Sequence, residues 1–396
     1  MTKSPIAGDI SGRWKSLNSN WNGTTLFMDT TFPFGFPPAT AFYLTMYVLT
    51  FVLHQAFTHY VLAGSLCLTW FTISKGRESV GWTEQPLQAT LRDWIPFLLS
   101  AAITAGVAPL LFIQIVYQYQ FYTANLLLWW RWMIVVPVLI VGFYLTYLVK
   151  SHRLWTWPYA VRVGVLLATS LCFIFVGFCW TANHLLANRG ATWPDVYTTG
   201  HLPFTFSEVA FRMLVWLGGS FSTLSVILGW QLLYRQSFSQ ADADTAGQNW
   251  GTRTLAGMSL GGLGTAAIAG LVYILFVEAS VKSLVFGNLG RLYVIGCVLG
   301  IGLQCCCWIP AWRSDRLRVR GLLLATAGSL LTLASTTVLR EGVRIRAIDL
   351  SSLAPLHAEA AKVGGFGVFL VASVVVGLLI AWCIHLVRTG IRSSNV

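Results

Sequence analysis

The stretch LTFVLHQAFTHYVLAG, residues 49–64, decides how this chain is read. It is apolar enough to lie in a bilayer and continues into apolar sequence on both sides, yet it carries two imidazoles, His54 and His59. An ionisable group in an apolar helix is costly unless it binds something, so such a group is by default a functional-site hypothesis. Working outward, the apolar run extends over 39–73, long enough to tilt or to protrude beyond the hydrocarbon layer. Further runs of spanning length cover 95–122, 127–149, 159–186, 209–233, 255–277, 292–312, 322–339 and 363–387. Nine spans follow. Because backbone polar groups in lipid must be satisfied within each segment, the fold class is all-α, a polytopic membrane helical bundle.

Composition agrees. Of 396 residues, 56% are hydrophobic and only 10% charged, and the mean hydropathy is +0.66. Those values exclude a soluble enzyme. The net charge of +12 needs no nucleic-acid partner, because its placement explains it. With the N-terminus outside, the inner connections collect Lys75, Arg77, Lys150, Arg153, Arg235 and Arg253, then Arg313, Arg316, Arg318 and Arg320. The outer side, with Arg189, Lys282, Arg291, Arg340, Arg344 and Arg346, holds fewer near the spans, so the positive-inside rule orients the chain.

Residues 1–38 form a polar outer tail without the short apolar core of a signal peptide. Residues 39–396 form one membrane domain, with five spans in 39–235 and four in 252–396, divided by a linker-like stretch at 236–251. All eight cysteines lie in apolar segments and none forms a CxxCH string, so no disulfide framework and no covalent c-type haem attachment is expected. Trp129, Trp130 and Trp132 read as an interfacial anchor. The outer connection 188–207, rich in aromatic residues, Pro and Gly, reads as folded over a site at that face.

His54 and His59 are five residues apart, which on a helix is roughly 140° around the axis and about 7.5 Å along it. They therefore cannot both ligate one haem iron. Either can be a ligand or a packed, hydrogen-bonded core residue. Other polar residues collect in the outer half of the bundle: Gln114, Arg131, Asn183, His184, Glu208, Arg212, Glu278, Glu341 and Arg344. Helix-end charges of this kind snorkel to the interface and pair there, which suffices for Glu208 and Glu278. It explains Arg212 less well, since that residue sits inside AFRMLVWLGG. Its planar fork suits a carboxylate such as a haem propionate.

Several of these strings resemble subunit I of the cytochrome bd quinol oxidases. LTFVLHQAF is similar to that family's first-helix motif, whose histidine, a haem ligand, falls on His54. AGVAPLLFIQ resembles the glycine-led second helix, and ANHLLAN the string closing the fourth. FRMLVWLG resembles the FRxMVGLG segment, whose arginine falls on Arg212. EGVR resembles the late EVGR string, placing the family's glutamate ligand on Glu341 and its arginine on Arg344. The resemblance covers spans one to four, part of span five and span eight.

It also departs from the pattern. The family's second-helix glutamate is Gln114 here, its methionine ligand falls on Leu214, that ligand's histidine partner has no counterpart, and the quinol-binding loop is missing. The resemblance thus implies a high-spin haem held by His54 and Glu341, with Arg212 and Arg344 at its propionates. A second, low-spin site is lost, or is rebuilt from His59 and His184 as iron ligands.

In function, the resemblance implies a b-haem subunit of a respiratory electron-transfer complex in the bacterial cytoplasmic membrane. It would carry one to three haems b and pass electrons between the quinone pool and a periplasmic cytochrome c or partner c-type subunit. The family's heterodimeric assembly implies a second membrane subunit, with membrane lipid around both. Two alternatives stand beside it: a divergent terminal oxidase that reduces dioxygen, against which Gln114 argues, and a haem-free transporter or structural membrane subunit.

Overall fold

A computed structural model describes residues 31–75, 85–238 and 245–363, with isolated positions beyond. The described residues form helices joined by short connections, with no strands among them. In chain order the helices are α1 (Pro38–Lys75), α2 (Pro86–Val116), α3 (Gln118–Leu128), α4 (Trp130–Lys150) and α5 (Tyr159–Ala187). There follow α6 (Trp193–Thr199), α7 (Phe206–Phe238), α8 (Thr245–Phe276) and α9 (Ala279–Phe286). The last are α10 (Asn288–Ser314), α11 (Val319–Ala347) and α12 (Ala354–Val363).

Eight of these helices, α1, α2, α4, α5, α7, α8, α10 and α11, are long and apolar enough to cross a membrane. The protein is an all-α, multi-pass membrane bundle. The ninth expected span, 363–387, falls largely outside the described residues.

The second and third spans differ from the sequence expectation. Sequence pattern ran one span through residue 122 and opened the next at 127. Instead α2 stops at Val116, with Tyr117 at φ −130° and ψ 39°. The polar run from Gln118 to Asn125 forms a separate helix, α3, which packs on α5. Trp129, at φ +47°, then breaks the chain before α4. A tryptophan in the left-handed region carries no compositional warning, so the apolar LLLWW string read as continuous.

Burial separates central helices from peripheral ones. In their most apolar windows α1 is 61% buried, α7 50% and α11 44%, against 22% for α4, α8 and α10. Helix α1 is the hub, packing against α2, α5, α7, α11 and α12. The other helices use small residues to approach closely. A Cβ on Gly218 of α7 would lie 2.5 Å from the Gly262 carbonyl of α8, and one on Gly328 of α11 would lie 2.5 Å from the Gly300 carbonyl of α10. With no hydrophobic effect to drive helices together in lipid, such backbone approach and buried polar contacts hold the pairs. Ser222 of α7 bonds to Ser259 of α8 (2.8 Å) and to Gln304 of α10 (2.5 Å), whose amide lies 3.4 Å from Thr332 of α11.

Candidate functional site

The site grows from the register of α1 against α11. Tyr47, Phe51 and Gln55 recur every four residues on one face of α1. They meet Arg344, Arg340 and Thr337 of α11: Arg344 lies 5.9 Å from the Tyr47 ring centroid, Arg340 lies 4.8 Å from that of Phe51, and Thr337 donates to Gln55 Oε1 at 3.1 Å. Two antiparallel helices stay in step over this stretch. Arg340 and Arg344, first counted as outer-loop charges, are thereby corrected: both lie inside α11, because the helix runs to Ala347, about two turns past Leu339.

Glu341 is fully buried, and Arg344 is 1% exposed. The Arg344 Nη1 lies 3.3 Å from Glu341 Oε1 and 3.4 Å from Oε2, while the Tyr117 hydroxyl donates to Oε2 at 3.1 Å. Arg344 also faces the Tyr117 ring, 4.8 Å from its centroid. The break that ends α2 is what turns Tyr117 toward this carboxylate. Two tyrosines thus complete a site of which sequence gave only the charged members. Tyr47, two turns before His54 on the same face, was discoverable by helical spacing; Tyr117 was not, since it needed the break.

His184 of α5, 2% exposed, stands beside the same cluster. The guanidiniums of Arg344, Arg340 and Arg212 all lie within electrostatic reach of its ring. Arg212 Nη1 approaches its Nδ1 at 3.4 Å, and the Asn188 amide at 3.5 Å. Both neighbours are donors, so Nδ1 holds the lone pair and the proton sits on Nε2, which is buried without a hydrogen-bond partner.

Around Glu341 there are therefore three guanidiniums for one carboxylate. The next acids outward, Glu208 and Glu278, are shared with Arg189, which holds Glu208 through two 3.0 Å bonds and lies 3.7 Å from Glu278. Sequence anticipated helix-end pairing for these two glutamates but not that Arg189 was the partner. Counting them all, four arginines meet three glutamates. Positive charge remains in surplus, with Arg212 over the Tyr273 ring and Arg340 over the Phe51 ring, an arrangement that favours an anionic partner.

The other histidines are distinguished by tautomer. His54, partly buried, places Nδ1 2.9 Å from the Ala102 carbonyl of α2. A carbonyl only accepts, so Nδ1 carries the proton and Nε2 keeps its lone pair, the form in which imidazole ligates a metal. Gly106 makes room for that ring: a Cβ there would lie 2.8 Å from His54 Cε1. His59, 2% exposed, sits 3.1 Å from Thr223 Oγ1, whose own proton goes to the Gly219 carbonyl. Its Nδ1 therefore also donates, leaving a buried, unpartnered Nε2.

The structure brings Glu341, Arg344, Arg212 and His184 together. His54 is linked to them through Phe51, whose ring lies 6.3 Å from its own and under Arg340. It does not bring His59 and His184 together. Their partners on α7, Thr223 and Arg212, are eleven residues apart, about 16 Å along the helix axis, farther than two imidazoles on one iron can reach. Trp216 stands between those levels, 6.1 Å from the His59 ring and wedged against Gly177 of α5. Gln114 is partly buried on α2 and joins none of these contacts.

As a haem site the residues fit in part. His54 presents the right nitrogen, and the arginine surplus suits two carboxylates. Glu341 is partly engaged: Tyr117 and Arg344 both bond its Oε2, whereas its buried Oε1 has no hydrogen bond and only the Arg344 ion-pair contact at 3.3 Å. Among the described residues no group of three or more His, Cys, Asp or Glu side chains converges as a metal site.

The outer connection packs on α3 and α5. Helix α6 packs Val196 into a small apolar cluster with Leu128 and Leu186, and Trp193 donates to the Leu186 carbonyl at 2.9 Å. His357, which sequence gave no role, is 1% exposed on α12. It accepts from Thr40 (2.8 Å) and donates to the Val116 carbonyl (3.2 Å), so both ring nitrogens are used and α12 is tied to the outer ends of α1 and α2. Compared with protein-family models, with curated proteins and with solved structures, the chain matches none.

Proposed function

We propose that this protein is a b-haem membrane subunit of a respiratory electron-transfer complex. It would pass electrons between a quinone pool and a cytochrome c or c-type partner subunit of the bacterial cytoplasmic membrane. The observation that carries the reading is the surplus of guanidinium charge formed by Arg212, Arg340 and Arg344 beside His184 and Glu341. A cation excess inside an apolar bundle favours an anionic group, and the two propionates of a haem would supply one.

In this reading a bound haem supplies one-electron redox chemistry. His54 offers Nε2 to the iron, with Nδ1 fixed by Ala102, the outer-shell bond that orients a ligating imidazole and raises its basicity. Arg212 and Arg340 hold the propionates, and Arg344 pairs with Glu341 and holds it in place. The apolar faces of α1 and α2 exclude water and so help to set the potential.

A pyridine haemochrome spectrum of protein purified from haem-supplemented cells tests this. A b-type signal that falls in His54→Ala supports it, and a colourless preparation sinks it. Carbon monoxide then separates electron transfer from dioxygen reduction: a shifted reduced spectrum reports an open iron position.

One observation favours a haem-free subunit instead. Glu341 is already paired with Arg344 and bonded at Oε2 by Tyr117, as in a structural ion pair. On that reading haem is absent, and Glu341→Gln alters stability alone.

A further inference from the structure

At the end of the bundle opposite the arginine cluster lies an apolar groove of about 830 Å³ between α1, α7, α8 and α10. Leu66 and Phe71 of α1, Phe221 of α7 and Met258 of α8 form its walls. Its rim is different in kind. Trp70 and Trp312 stand there 66% and 49% exposed, as tryptophans do at a membrane interface. Arg253 lines the same rim, with more than half of its side chain exposed and its Nε paired to Asp315. Beside it the connection from α10 to α11 presents Arg313, Arg316, Arg318 and Arg320, all exposed, against the single acid Asp315.

The structure assigns this groove to one anionic phospholipid of the inner leaflet, with an acyl chain along the apolar wall and its phosphate at Arg253. Three features converge on that occupant. The cavity is apolar and open rather than enclosed, which suits a hydrocarbon chain. The paired tryptophans fix its mouth at headgroup depth. Arg253 at the rim and the four arginines of the adjoining 313–320 segment face the single carboxylate of Asp315, a balance that selects a negative headgroup over a zwitterionic one, as juxtamembrane basic clusters do. Gly257 shapes the floor, since a Cβ there would lie 2.6 Å from the Trp312 ring. The lipid would add to the contacts that hold α8 and α10 near the hub helix at this level.

The assignment is tested on the full chain, purified in mild detergent and placed in nanodiscs of phosphatidylcholine with rising phosphatidylglycerol. Native mass spectrometry of the wild type is expected to show one retained phosphatidylglycerol per chain and a melting temperature that rises with its mole fraction. Arg253→Gln is expected to weaken that retention roughly fivefold, the effect of one basic side chain at a charged surface. Leu66→Trp, which fills the groove without touching those arginines, is expected to abolish it while elution volume and helix content stay unchanged.

Equal retention of phosphatidylcholine, or full retention by Leu66→Trp, overturns the assignment. So does a cross-link placing another segment of this chain in the groove, or an isoprenoid quinone found there. The proposal does not depend on haem: a colourless protein that retains the phospholipid leaves it standing.

Discussion

Removing one partner of the Glu341–Arg344 pair tests whether the arginine cluster is held as described. Glu341→Gln keeps a carbonyl for the Tyr117 hydroxyl but leaves Arg344, 1% exposed, without its counter-charge. Breaking a buried ion pair on one side costs about 3–5 kcal/mol. Arg344 retains the rings of Tyr117 and Tyr47 at 4.8 and 5.9 Å, each offsetting about 1 kcal/mol. The expected loss is therefore near the lower end, about 3 kcal/mol.

Arg344→Met, which buries a lone carboxylate, is expected to cost about as much. The double variant removes both charges and is expected to cost only about 1–2 kcal/mol, because buried pairs exchange for neutral residues with little penalty. The coupling energy is then about 4 kcal/mol. Reversible unfolding in mixed detergent and dodecyl sulfate micelles measures all four proteins, with haem content recorded for each. Additive single variants, with coupling below about 1 kcal/mol, would refute the buried-pair argument. A change in the haem spectrum on Glu341→Gln, with stability unchanged, would place the carboxylate on iron instead.

Three further outcomes are expected. Gly106→Ala displaces the His54 ring, which a Cβ would approach to 2.8 Å, so haem occupancy falls without any change of ligand; an unaltered occupancy and spectrum would count against His54 as the axial group. Gly218→Leu forces α7 from α8, where even a Cβ lies 2.5 Å from a carbonyl, and destabilises by about 1–3 kcal/mol or more, read by the same micelle unfolding. Burial holds the His357 imidazole below its ordinary value, with the bond to Val116 partly opposing this. The ring is thus neutral when docked, and its contribution is complete above about pH 6.5 and declines as pH falls below it. The hydrogen-exchange protection of α12, corrected for the intrinsic pH dependence of exchange, should fall in that range, and His357→Gln should flatten the dependence.

How legible each part was depended on whether it is local. The apolar runs revealed eight of the described helices because spanning length is a property of consecutive residues. Helix boundaries failed at Tyr117 and Trp129, where backbone angles, not composition, end the segment. Among site residues, His54, Arg212, Glu341 and Arg344 stood out as charges in apolar sequence, yet their partners did not. Tyr47 and Tyr117 read as ordinary membrane residues and Arg340 as an outer-loop charge, and the tautomers of His54, His59 and His184 depend on what faces each ring.

By itself the sequence determined the solvent: with so few charges and such long apolar runs, the backbone had to close its own hydrogen bonds as helices across a bilayer. Tertiary structure alone decided which of the intramembrane polar groups meet. Helical period fixes the face a side chain occupies, but only packing fixes the neighbour opposite. That is why Glu341 finds Tyr117 across 224 positions of chain, while His59 and His184 stay apart with Trp216 between their levels.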